Sequence, residues 1–261
     1  MEIRLDGRIA LISGGSRGLG KAMARNFAEA GAEVAIVARR PEPLAETARE
    51  IIAAGGRCRA YSGDVSRAGE VSRVFAEVSR DLGRVDILVN NAGRSRRGPF
   101  EELSDEVWQA DFDLKLFAAI RFCRLAFPGM KSRRWGRIVN VLNIGAKAPG
   151  AGSAPTTVTR AAGMALTKVL AGEGAPHNVL VNALMTGIIM SDQWLRHHRD
   201  EAPGQPFEEY LAGVARSQRL PMGRLGTAEE FANIACFLVS DAASYVTGTA
   251  INVDGGKSPV T

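Results

Sequence analysis

Ser13-Gly14-Gly15-Ser16-Arg17-Gly18-Leu19-Gly20 lies directly behind a short apolar run, Arg8 to Ile12, and directly ahead of a helical pattern. Glycine lets a chain turn sharply and brings its backbone close to a pyrophosphate, while the unpaired amides that open a helix attract the negative charge. A glycine-rich turn can also be purely structural, so the stretch takes its meaning from its surroundings. Outward from it, the β-rich runs Glu33 to Ala38, Arg57 to Ser62, Val85 to Val89, Arg137 to Val141 and Leu180 to Ala183 each precede a longer amphipathic or loop segment, and Ala250 to Val253 closes the chain. That rhythm specifies an α/β fold: a mainly parallel, seven-stranded sheet, doubly wound, with right-handed crossovers and helices on both faces. Such a sheet binds ligands beyond the carboxyl ends of its strands. Three further polar clusters fall there: Asp64-Val65 after the third run, Asn90-Asn91-Ala92-Gly93 at the end of the fourth, and Val253-Asp254-Gly255-Gly256 after the seventh.

With 261 residues and 46% hydrophobic content the chain can bury a large core, and residues 1–261 are expected to form one domain. The lead from Met1 to Gly14 lacks the basic and apolar regions of a signal peptide, and no later apolar run approaches membrane-spanning length, so a soluble cytoplasmic protein is expected. Cys58, Cys123 and Cys236 are odd in number, widely spaced and set among apolar neighbours, as reduced core thiols are; no metal-ligand cluster is visible. The net charge of +5 is mild. Arginines bunch at Arg94, Arg96 and Arg97 and at Arg133 and Arg134, without the interleaved aromatic platforms of a nucleic-acid surface. The first bunch follows the fourth strand, where it can attract an anionic small-molecule substrate. One irregular region, about 190–222, is interrupted by Pro203, Gly204, Pro206 and Pro221. An insertion after the sixth strand is placed to act as a substrate lid, or as a packing or oligomer loop.

These motifs together resemble the short-chain dehydrogenase/reductase family, a Rossmann-like fold, from Gly7 to Gly256. Asp86-Ile87-Leu88-Val89, Gly136-Arg137-Ile138-Val139-Asn140, Gly223-Arg224-Leu225-Gly226 and Glu229-Glu230 add to the likeness. The resemblance implies that Gly14, Ser16, Arg17, Gly18, Leu19 and Gly20 hold cofactor phosphates, Asp64 and Val65 the adenine, and Asn91, Ala92 and Gly93 the ribose region. It also implies a homodimer or homotetramer, since the segment from Thr227 to Ser240 and the final strand resemble family segments that pack between subunits. Cofactor choice rests on charge. An acidic residue ending the second strand would repel a phosphorylated ribose, but here Ala38 is followed by Arg39 and Arg40. Guanidinium binds phosphate through charge-assisted hydrogen bonds, so Arg39 and Arg40, helped by Arg17, favour NADP(H) over NAD(H).

The catalytic pattern departs from that family. Its members carry a serine after the fifth strand, a tyrosine and a lysine four apart on the next helix, and an asparagine on the preceding long helix. The matching positions here hold Asn143, Thr156, Arg160 and Lys115, and no tyrosine occurs between Tyr61 and Tyr210. The family's proline-glycine pair after the sixth strand is Thr186-Gly187, with Ser191 left to meet the cofactor's carboxamide. An aliphatic hydroxyl is a far poorer proton donor than a phenol, and arginine stays protonated, although Asn143 can bond a carbonyl oxygen and Arg160 can hold ribose hydroxyls or an oxyanion. Lys115 facing Arg160 would feel a like charge that lowers its pKa, one route to a working acid. Lys147, His197, His198 and Tyr210 are weaker candidates.

The expected function is an NADP(H)-binding oxidoreductase acting on a carbonyl or alcohol by a non-standard proton route. The alternatives are a cofactor-binding pseudoenzyme with a sensing or interaction role, since folds outlive the chemistries grafted on them, and non-redox catalysis on the same scaffold. Halohydrin dehalogenases resemble the chain in carrying an arginine where Arg160 lies, but they retain the tyrosine and lose the glycine-rich loop, the reverse of what stands here.

Overall fold

Seven strands, β1 (Ile9–Ser13), β2 (Glu33–Ala38), β3 (Arg57–Ser62), β4 (Ile87–Asn90), β5 (Gly136–Asn143), β6 (Val179–Thr186) and β7 (Ala250–Val253), form one parallel sheet in the order β3-β2-β1-β4-β5-β6-β7. The computed structural model describes residues 3–261, so Met1 and Glu2, the start of the lead, lie outside the described residues. The strand order reverses between β1 and β4, which opens a crevice at their carboxyl ends.

Continuous burial of the central strands follows from helices on both faces. On one face α1 (Gly18–Glu29) and α2 (Pro41–Ala53) cover β1 and β2 and α9 (Ala228–Val239) covers β5 and β6, burying Phe27, Leu44, Ile51 and Phe231 in one cluster. On the other, α3 (Ala68–Leu82), α5 (Ala118–Arg133) and α6 (Thr156–Gly174) bury Val74, Phe122, Phe127 and Ala171. Cys58, Cys123 and Cys236 are buried free thiols, and burial pushes Cys58 up to about 12.

Strand limits differ from the apolar runs for physical reasons. β4 starts at Ile87 rather than Val85, where Asp86 turns its carboxylate to the Ile9 amide at 3.0 Å and to Arg84 at 2.9 Å. β5 and β6 continue through polar residues to the pair Asn143–Thr186. The ladder needs only backbone groups, so it outlasts the apolar pattern. The carboxyl-terminal helix expected from Thr227 to Ser240 spans Ala228–Val239, and the two predicted end residues are its caps: Thr227 and Glu230 form a reciprocal capping box.

Helix α4 (Asp105–Phe112) runs into α5 through a π-helical turn, Asp113–Phe117, that contains Lys115. The insertion after β6 folds as α7 (Asp192–Glu201) and α8 (Phe207–Ser217). Trp194, Leu211, Ala215, Leu220 and Leu225 pack together there. His198 lies 5.1 Å from the Phe207 ring and 5.3 Å from the Tyr210 ring, the Tyr210 hydroxyl donates to Glu201 at 3.0 Å, and His197 sits edge-on to Trp194. These side chains serve the insertion's own packing. No helix among the described residues is long and apolar enough to cross a membrane.

Candidate active site

The glycine-rich turn closes on itself through contacts that tolerate no side chain. Gly14 has φ +71°, and a Cβ there would approach Asn91 Nδ2 to 2.9 Å and Ala92 Cα to 3.0 Å. Gly20, the first buried residue of α1, would drive a Cβ into the Gly14 carbonyl and Asn91. Asn91 Nδ2 donates to the Ser13 and Gly14 carbonyls at 3.0 and 3.1 Å, and Ser13 Oγ accepts from the Asn91 and Ala92 amides at 3.0 and 3.1 Å. The carboxyl ends of β1 and β4 are thereby locked together, with the start of α1 facing the crevice. Arg17, extended at φ −161°, caps α1 through its backbone alone, so its side chain is not consumed by the cap. Ser16, Gly18 and Leu19 continue the turn, half-buried.

A cleft of about 530 Å³ lies past the carboxyl ends of β2, β3 and β4, and Arg39, Asp64, Ser66, Arg67, Arg94, Glu106 and Asp113 are among its lining residues. Asp64 Oδ1 is held by the Ser66 amide and hydroxyl at 3.1 and 2.7 Å, and Val65 is buried in the core below. Arg39 is exposed at the end of β2. Arg40 opens α2, exposed and outside that lining. Room for a flat base, a carboxylate to bond its amine and guanidinium groups for a phosphate suit a phosphorylated adenosine.

Lys115, Thr156 and Arg160 lie in one cluster, organised by Asp111, a residue that no sequence motif singles out. Lys115 Nζ donates to Asp111 Oδ1 at 2.5 Å and to Thr156 Oγ1 at 2.7 Å, and the two charged side chains are 1% and 2% exposed. Thr159 donates to Asp111 Oδ2 at 2.8 Å. The Thr156 hydroxyl also accepts from the Arg96 amide at 2.9 Å and donates to the Arg96 carbonyl at 2.7 Å. A hydroxyl has one proton and two lone pairs, so Thr156 is fully used and leaves nothing for a substrate. It is a clamp on the Arg94–Arg97 loop, which a bridge between Arg97 and Pro155 also fastens.

Burial is the main reason the Lys115 amine titrates low, at about 8; Asp111 pulls it upward, and Arg160 and Arg94 push it down again. The like charge expected to act on Lys115 is thus present but secondary to desolvation. Arg160 donates to the Val141 carbonyl at 2.6 Å and presses on Gly93, where a Cβ would overlap its guanidinium; burial lowers it to about 10. Behind Lys115 a void of about 10 Å³, bordered by Asn90, Asn140, Thr159 and Arg160, has room for about one water.

Asn143 ends β5 with its amide oxygen buried and unpartnered, an acceptor suited to a ligand hydroxyl. Gly187 abuts Asp254 so closely that a Cβ would reach its Cβ and Cα, and Ser191 caps α7. Among the described residues no hydrogen bond joins either of them to the Lys115 cluster. Lys147 donates to the Ala250 carbonyl at 2.6 Å and so braces β7. Asp111, Thr159 and Arg67 were missed in the sequence. For Asp111 the one available signal was its spacing of four from Lys115 on a helical pattern.

A crevice at the strand-order reversal with a glycine turn that admits no side chain, and a cleft past the neighbouring strand ends, are the features of a dinucleotide-binding α/β protein. A family model described as enoyl-(acyl carrier protein) reductase matches residues 14–258. The chain belongs to the short-chain dehydrogenase/reductase family. It is 34% identical over 258 residues to the 3-oxoacyl-[acyl-carrier-protein] reductase of Aquifex aeolicus, covering 98% of this chain and 99% of that one. The L-sorbose reductase of Gluconobacter frateurii, solved with NADPH and L-sorbose, superposes with a TM-score of 0.94 at 35% identity and full coverage of both chains. An apo short-chain oxidoreductase from Pseudomonas aeruginosa PAO1, described as containing an atypical catalytic centre, gives 0.94 at 35% identity over 99% of this chain and 100% of that one.

Proposed function

We propose that the protein is an NADP(H)-dependent oxidoreductase interconverting a small carbonyl compound and an alcohol, with Lys115 holding the proton. The observation that carries the reading is the cradle closed by Gly14, Gly20 and Asn91, together with a cleft at which the end of β2 presents Arg39 in place of an acid. Ser16, Arg17, Gly18 and Leu19 would face the pyrophosphate, Asp64 and Val65 the adenine, and Asn91, Ala92 and Gly93 the ribose beside Arg160. Gly187 and Ser191 would meet the carboxamide. When bound, the nicotinamide supplies or accepts the hydride. The NADPH bound to the sorbose reductase of similar structure supports the coenzyme, and the atypical centre described for the Pseudomonas protein supports chemistry on this scaffold by another route.

The chain's own task is the proton. Asn143 and Arg160 orient and polarise the carbonyl, and Lys115 gives up one proton to its oxygen as the carbon takes the hydride, leaving a neutral amine that solvent recharges. Because Lys115 is almost fully covered, the Arg94–Arg97 loop that Thr156 fastens must shift to admit the oxygen. Arg94, Arg160 and Lys115 outnumber the single Asp111 around this point, which favours an anionic substrate. The 190–222 insertion serves as a lid, and the assembled protein is a homodimer or homotetramer.

Arg39→Ala tests the coenzyme assignment. A lost hydrogen bond to a charged phosphate, about 1.5–3 kcal/mol, should weaken NADPH about 10- to 150-fold while NADH affinity stays within about twofold. Isothermal titration with both coenzymes checks it, and an equal loss for the two would remove Arg39 from the phosphate site. The pH profile tests the proton assignment. The acid must be protonated for reduction, so kcat for carbonyl reduction should be flat below pH about 8 and fall above it, while alcohol oxidation, which needs the neutral amine, should rise through the same point.

The cover over Lys115 also favours a second reading, a pseudoenzyme that binds NADP(H) without turnover. NADPH binding with no cofactor-dependent rate on a broad panel of carbonyls and alcohols would establish that reading instead.

A further inference from the structure

The carboxylate of Asp111 is one of the most thoroughly buried charges in the protein. It lies in the last turn of α4, four residues before Lys115, where the helix widens into its π turn. Isolated π turns inside α-helices recur at functional sites. The side chain is held at both oxygens, by Lys115 at 2.5 Å and by Thr159 from α6 at 2.8 Å. Thr159 therefore fixes the carboxylate's direction, and the carboxylate fixes the amine.

The charges facing Lys115 come from each element packed around it: Asp111 from α4, Arg160 from α6, and Arg94 from the loop after β4. Thr156 and Thr159 add only neutral hydroxyls. One anion thus stands against two neighbouring cations, in a place largely closed to water. Burial and both arginines work to strip the proton from Lys115, and Asp111 is the charge that opposes them.

We propose that Asp111, anchored by Thr159, is the positioning residue that keeps Lys115 protonated and its amine directed at the Thr156 end of the site. The proposal rests on the reading of Lys115 as the proton holder, and it assigns the carboxylate a role through the lysine rather than on the substrate. A purely structural ion pair would also raise the Lys115 pKa, so what sets the positioning role apart is that the reaction's pH profile moves with that pKa.

Asp111→Asn keeps the shape and the bond from Thr159 but removes the charge. The protein has six lysines, so lysine labelled with ¹³C at Cε gives a simple NMR spectrum in which Lys115 is assigned by its loss in Lys115→Arg. In the full-length variant the Lys115 midpoint should drop by more than about one pH unit, and the upper limb of the reduction-rate profile should move down with it. Asp111→Glu, which restores the charge, should recover most of both shifts. A Lys115 midpoint unmoved in folded Asp111→Asn overturns the proposal. A midpoint that drops while the rate profile stays put upholds Asp111's hold on Lys115 and instead refutes Lys115 as the proton donor. If Asp111→Asn does not fold, the wild-type protein with aspartate labelled at Cγ decides: the Asp111 carbon should shift at the Lys115 midpoint, and its failure to sense that step overturns the proposal.

Discussion

Lys115→Met should lower kcat for NADPH-dependent carbonyl reduction by about 10²–10⁴-fold, the usual contribution of a positioned general acid, with NADPH affinity within about threefold. Methionine retains the unbranched stem that fills the space between α4 and α6, and it removes only the ammonium. The complication is Asp111, which is left buried with a charge and no counterion. Breaking a buried pair on one side costs about 3–5 kcal/mol, which at about 2–4 °C per kcal/mol for a chain of this size lowers the melting temperature on the order of 10 °C. A fall in rate could then reflect a loosened site rather than a missing proton. The double variant Lys115→Met with Asp111→Asn separates the two, because neutralising both partners removes the unpaired charge. Its melting temperature should recover most of the loss while its kcat stays as low as that of the single variant. Full turnover in either protein would take the proton away from Lys115. Thr156→Val makes a useful contrast: the hydroxyl is saturated by Lys115 and both backbone groups of Arg96, so its loss frees the loop rather than deleting an acid.

What was legible in the sequence is what is local in the chain. The glycine turn, the run that precedes it and the absence of an acid after Ala38 are each contained within a few residues, and the strand rhythm fixes the topology that brings Gly14 to Asn91. The strands differ from the predicted runs mainly where polar residues such as Asn143 and Thr186 continue the backbone ladder, and at β4, which starts at Ile87 because Asp86 turns to the Ile9 amide and Arg84. The candidate active site was half legible. Lys115, Thr156 and Arg160 were found because a family pattern marks their positions, and their chemical poverty as acids follows from residue type alone. The Asp111–Thr159 contact joins residues 48 apart in the chain, and the spacing of four from Lys115 is the one local signal that points to Asp111. The dominance of burial over like charge at Lys115 is a property of the assembled helices. His198 and Tyr210 show the reverse case, since residue types that suit catalysis are here committed to the packing of α7 on α8.

Gly20→Ala should weaken NADPH binding about 100-fold, equivalent to about 2.7 kcal/mol, and Gly18→Ala by only a few-fold, although both replace a glycine of the same turn. The two positions differ physically. Gly18 has φ +50° and nothing within 4 Å of an added Cβ, so alanine there meets only backbone strain, about 1–2 kcal/mol. Gly20 has ordinary helical geometry, but its Cβ would run into the Gly14 carbonyl and the Asn91 amide, which hold β1 to β4. Relief requires α1 to retreat from the turn, and its amides would retreat from the phosphates with it. Overpacking of this kind costs about 1–3 kcal/mol, so the two variants should melt within a few degrees of each other while their affinities diverge more than tenfold. Calorimetric melting paired with NADPH titration reads both quantities. Affinities that fell together would mean that strain in the turn, and not the lock between Gly14, Gly20 and Asn91, sets the phosphate site.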